Sequence, residues 1–232
     1  MRRSSVLLAL ALLVSGARPA SAEPIVLFSN FGPGGSYGPG AAPILGPGAP
    51  LSEGDVSPGQ LAASSFVLDR AARFTRIDLA LAVLNGFGSP VVPVDVTLRL
   101  VRDDAGVPGT TVLDTLSVTA VASLFDNGSI RSAGSTLQPE LPAGTYWFVA
   151  STMAERAEAG WMVNSSDTRI LPGAIRRVDT DWTRTWPAGA FQLFGTPAGD
   201  PAPVPEPATV TLLAASLAGT ALRARRRTRE TR

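Results

Sequence analysis

Apolar and polar residues alternate with a period of two through most of the middle of the chain, and no repeat of helical period competes with it before the carboxyl-terminal tail. Ile77, Leu79, Leu81 and Val83 share one parity, as do Val94, Val96, Leu98 and Leu100, with Asp95, Thr97 and Arg99 between them. Such alternation places one set of side chains on a buried face and the other in water, the signature of a half-buried β-strand. Further strands are expected over 25–29, 112–118, 144–151, 160–163 and 191–195, separated by Pro, Gly, Asn and Asp turns. Many short strands punctuated by turns predict an all-β domain, a β-sandwich or jelly roll, rather than a parallel α/β sheet. The passage 31–59 is rich in glycine and proline. Proline lacks a ladder donor and glycine packs nothing, so a long surface loop is expected there.

Composition then removes whole classes of chemistry. Of the 232 residues none is cysteine and none histidine. The fold must therefore hold by burial and hydrogen bonding, and structural Cys-zinc sites, the usual neutral-pH general base and the commonest transition-metal ligand are all missing. Every positive charge is an arginine, which also removes a Schiff-base or P-loop lysine.

Both ends carry targeting patterns. Arg2 and Arg3 precede an apolar stretch over 6–14, followed by the small-residue site Ala20-Ser21-Ala22. The apolar stretch falls well short of the roughly 20 residues of a spanning helix, so residues 1–22 read as a signal peptide that signal peptidase removes, leaving Glu23 first. At the other end Val204-Pro205-Glu206-Pro207 precedes an apolar run over 208–222 and then Arg223, Arg225, Arg226 and Arg227. At about 1.5 Å per residue that run reaches roughly 22 Å, short of a hydrocarbon core of about 30 Å, which suits a transient inner-membrane anchor. The arginines over 223–232 act as the cytoplasmic stop signal and leave the preceding residues on the far side of the membrane. Five prolines between 197 and 207 make that stretch an extended spacer, so the domain proper is 23–196.

Charge follows the same partition. The net charge is +1, but 1–22 contributes three arginines without acids and 206–232 six arginines against two acids. The remaining 23–205 therefore holds 11 arginines against 17 acids, a net −6. An acidic domain has no electrostatic basis for binding nucleic acid.

The tail, from Val204 to Pro207 through the apolar run to the arginines, resembles the PEP-CTERM sorting signal of Gram-negative bacteria. That resemblance implies an exosortase as processing partner and a final place at the cell surface or in the extracellular matrix, in organisms that make exopolysaccharide and biofilm. The domain resembles the choice-of-anchor group through Gly106-Val107-Pro108-Gly109-Thr110, the segment 141–150, and the tryptophan-bearing segment 181–194. No catalytic activity is implied for that group.

Several candidate sites compete with plainer roles. Gly34-Gly35-Ser36-Tyr37-Gly38 has the spacing of a nucleophile elbow, yet the chain has no histidine to serve it, so Ser36 is not expected to be catalytic. Asp103, Asp104, Asp126, Asp179 and Asp181 are the acids available to a carboxylate-dependent polysaccharide hydrolase. Asp104-Ala105-Gly106 and Asp126-Asn127-Gly128 read first as turns needing positive φ. Oxygen-rich loops leave calcium open as a stabilising ion, although no EF-hand frame is present. Trp147, Trp161, Trp182 and Trp186 are either core or a stacking platform; Trp182 and Trp186, in a turn-rich segment, are the candidate glycan-binding pair. The reading is of a non-catalytic surface or matrix protein, with a carbohydrate-binding module and, further off, a hydrolase as alternatives. An acidic domain should favour neutral or calcium-bridged polymers.

Overall fold

Alternation in the sequence becomes register in the computed structural model, which describes residues 23–50, 56–84, 90–164, 173–178, 180–185 and 188–198. In strand β4 (Ala72–Val83) the side chains of Ile77, Leu79, Leu81 and Val83 are buried. In β5 (Val94–Asp104) Val94, Val96, Leu98 and Leu100 are buried while Asp95 and Arg99 are exposed. The expected strand over 144–151 is β9 (Gly144–Ser151). The remaining strands are β1 (Ile25–Ser29), β2 (Tyr37–Leu45), β3 (Gln60–Leu68), β6 (Val107–Ala120), β7 (Ser129–Gly134), β8 (Glu140–Leu141), β10 (Glu158–Asn164), β11 (Gly173–Arg177), β12 (Thr183–Thr185) and β13 (Phe191–Pro197).

All these strands pair antiparallel in one hydrogen-bonded network of order β1-β13-β4-β10-β2-β3-β9-β5-β6. β7 and β8 flank β4, β11 adds to β3, and β12 adds to β11. The network bends into two facing layers. Phe66 of β3 lies 5.9 Å from Phe28 of β1 and 6.0 Å from Phe191 of β13, and Phe148 of β9 lies 5.7 Å from Phe74 of β4. None of these strand pairs is hydrogen-bonded, so the rings meet across a core between layers, as in a sandwich. Polar groups stitch the layers at one point: Ser64 Oγ in β3 accepts from the Gly189 amide at 2.7 Å, and Asn30 donates to the Gly189 carbonyl at 2.8 Å.

The long surface loop expected over 31–59 is corrected: β2 lies inside it, pairing with β10 from Tyr37↔Asn164 to Leu45↔Glu158. Its prolines are tolerated because β2 has a strand neighbour along its length on one side only, meeting β3 at the single pair Leu45↔Gln60. Glycine in the partner is required by closeness. A Cβ at Gly160 would stand 2.7 Å from Ala41 Cβ.

β6 begins earlier than the sequence pattern indicated, because Ala105 (φ 51°) and Gly106 (φ 85°) close a two-residue hairpin that pairs Asp104 with Val107. β9 serves two faces. Tyr146, Phe148 and Ala150 enter the inter-layer core, whereas Trp147 and Val149 join Leu61, Ala63, Val101 and Ala174 on the outer face.

Candidate functional site

β1 and β13 are adjacent, and Ile25 pairs with Gly195. The first and last strands of the domain thus end side by side, and the chain leaves toward the spacer from Pro197 beside its own amino-terminal strand. Glu23 is exposed at this end. The expected signal peptide with Ala20 and Ala22, the spacer from 199, Val204 to Pro207, the apolar run 208–222 and the terminal arginines lie outside the described residues. Among the described residues no helix is long and apolar enough to cross a membrane.

Of the candidate acids that are described, Asp103, Asp104 and Asp126 lie in or beside turns. Asp103 accepts the Trp147 Nε1 proton at 2.7 Å through one oxygen and the Gly106 amide at 3.0 Å through the other. It fixes the β5–β6 turn to a fully buried indole. Asp126 lies in a 3-10 turn (Leu124–Asp126) closed by Asn127 at φ 67° and Gly128 at φ 63°, the positive-φ turn read in the sequence. Asp181 is exposed, and Asp179 lies outside the described residues. Ser36 follows two glycines at φ 68° and 78° and runs extended into β2, so the turn leads to a strand where a nucleophile elbow leads to a helix.

One carboxylate escaped the sequence reading. Asp114 is 1% exposed; its oxygens accept from Ser135 Oγ at 2.5 Å and from the Thr115 amide at 2.8 Å. Ser135 in turn accepts from the Gln138 amide at 2.7 Å, so the group clamps β6 to the segment after β7. The signal was available, since Asp114 has the parity of buried Leu116 and Val118. Beside it opens a surface depression of about 270 Å³ lined by Val112, Leu113, Thr115, Thr136 and Leu137.

Burial pushes the carboxyl of Glu158 above its ordinary value, and it raises the phenol of Tyr37. Tyr146 is also raised by burial, with Arg102 opposing, and donates to the Pro142 carbonyl at 2.8 Å. Among the described residues no group of three or more carboxylates is placed to hold a metal ion.

The tryptophans divide. Trp147 and Trp161 are fully buried, Trp161 donating to the Ala190 carbonyl at 3.0 Å. Trp182 is half-buried, packed against the outer cluster of Leu61, Ala63, Val101, Trp147, Val149 and Ala174. The Arg176 guanidinium lies 5.1 Å from its ring centroid. Trp186 lies outside the described residues. Arg184 of β12 donates from Nε and Nη2 to the Gly106 carbonyl at 3.1 and 2.9 Å. In a flat sheet of order β12-β11-β3-β9-β5 those strands would be about 19 Å apart at roughly 4.8 Å per step, beyond an arginine's reach. The β11–β12 hairpin therefore curls over the outer face and carries Trp182 onto it.

An all-β domain that sends its last strand into a proline spacer and a short apolar, arginine-ended tail has the layout of a sorted surface protein. Residues 203–227 match the family model of the PEP-CTERM protein-sorting motif. The chain bears this motif and is an exported protein, made as a membrane-anchored precursor and processed by an exosortase. No curated protein matches the chain.

Proposed function

We propose that the domain is a non-catalytic structural component of the cell surface or extracellular matrix, of choice-of-anchor type and associated with exopolysaccharide. The observation that carries the non-catalytic part is the use of Asp103, one of the candidate acids, with its two oxygens bound to a turn amide and a buried indole. A glycosidase acid or nucleophile needs a free oxygen at the scissile bond. The sorting motif supports the location, and the pairing of β1 with β13 brings the two ends of the domain side by side.

The test is to fractionate the producing cells and incubate the processed protein with their own exopolysaccharide while following reducing ends. We expect the protein in the matrix fraction and no release of reducing ends. Sustained release that disappears in Asp103→Asn or Asp104→Asn would replace this reading with a hydrolase.

A further inference from the structure

We propose that the Arg176 and Trp182 pair on the β11–β12 hairpin is a recognition site for the carboxylate groups of a uronate-containing polysaccharide. This rests on the reading of the protein as an exopolysaccharide-associated component and names the polymer class.

Arg176 lies over the Trp182 ring, and its Nε is buried without a hydrogen-bond partner. A guanidinium carries five N–H donors in one plane, and the indole it lies over offers no conventional acceptor for them. That geometry suits a planar carboxylate, which two parallel N–H groups can grip. A second polar atom on the same face lacks a partner. Ser151 Oγ is buried and unpaired, and Ala62↔Ala150 together with Leu61↔Arg176 set Ser151 in the same cross-strand row as Arg176. Beside them the half-buried indole offers apolar surface. Carboxylate, apolar ring face and hydroxyls are the three chemistries of a sugar acid.

The net charge of 23–205 argues against an anionic ligand, but the screening length at 0.1 M salt is about 10 Å, so the hairpin's own charges decide. Arg177 is exposed nearby, whereas Arg184 is already engaged by the Gly106 carbonyl. One guanidinium grips one carboxylate weakly. A polymer with a carboxylate on each unit, met by many copies of the protein in a matrix, turns weak contacts into lasting attachment.

The experiment uses the full chain in detergent micelles and measures binding of polygalacturonate, neutral dextran, polyphosphate and polyglutamate by calorimetry at low salt, without calcium. We expect binding of polygalacturonate that weakens with added salt, and no binding of dextran. Arg176→Gln should weaken it about tenfold or more, and Arg176→Lys, which keeps the charge but loses the planar fork, should lose most of that affinity as well. Arg177→Gln should change it less than about twofold, since only a surface charge is removed. A urea unfolding transition like that of the parent shows that each variant is folded; should Arg176→Gln unfold, Arg176→Lys carries the comparison.

Absence of polygalacturonate binding, equal losses in Arg176→Gln and Arg177→Gln, or tighter binding of polyphosphate or polyglutamate would each overturn the assignment. A protein found in the matrix that ignores polygalacturonate sinks this inference and leaves the structural reading standing. Release of reducing ends sinks the structural reading whether or not polygalacturonate binds.

Discussion

Strand β9 presents aromatic residues to both of its faces, and the two faces are closed by different means. Phe148 and Tyr146 enter a core walled by the opposite layer, where Phe148 meets Phe74 and Phe191 at 5.7 and 6.0 Å. Trp147 faces outward, under one hairpin held by the packing of Trp182 and by the bonds from Arg184 to Gly106. Both indole and phenyl are fully buried, yet one is covered by half the domain and the other by a strap. Burial of a single side chain thus says little about how firmly its surroundings are fixed; the number of strands that must move to uncover it says more.

The largest expected effect breaks the inner face. Phe148→Ala leaves a cavity among three other phenyl rings and should cost about 3–5 kcal/mol, seen as a lower midpoint in urea unfolding. Next comes the edge of the inner core. Asp114→Ala strips the acceptor from Ser135 and from the Thr115 amide, and should cost about 1–3 kcal/mol by the same measurement. The outer face should respond locally instead. Arg184→Ala should lower global stability by only about 0.5–1 kcal/mol, while amide exchange in 173–178 and 180–185 accelerates well beyond that of β4 and β5. Equal acceleration in all strands would erase the contrast between the two faces.

The smallest effect is a pH dependence at Glu158, where β10 pairs with the end of β2. Its carboxyl is raised by burial, so between the ordinary value of 4.5 and the folded value the native state binds more protons than the unfolded chain. Stability is therefore lost as pH rises through that window, and Glu158→Gln should remove the loss while leaving stability below pH 4.5 little changed. Urea midpoints across that window for both proteins check the sign.

What the sequence made legible was what local physics decides. Alternation located β4, β5 and β9, and Gly and Asn at positive φ located the turns at 105–106 and 127–128. β2 was not legible, because whether a Gly/Pro stretch becomes a strand depends on a distant partner with glycine at the point of contact, Gly160 against Ala41. β11 and β12 are short and carry arginines, so their alternation drowns in charge. The role of Trp147 was hidden for a different reason: its parity was plain, but nothing local says that the outer face too is roofed. Asp114 shows the reverse case, where the parity was informative and the polar residue at an inward position marked a clamp.

Because β13 is flanked by β1 on one side and β4 on the other, the last strand of the domain has hydrogen-bonded partners on both sides. If the domain is held through its carboxyl end and loaded, a pull along the strand strains the pairs from Phe191↔Leu79 to Pro197↔Ala72 together with those to β1. Hydrogen bonds strained side by side share the tension, whereas bonds opened from a free end break one after another. Held on both sides over much of its length, β13 resists a lengthwise pull better than one that peels it from an end.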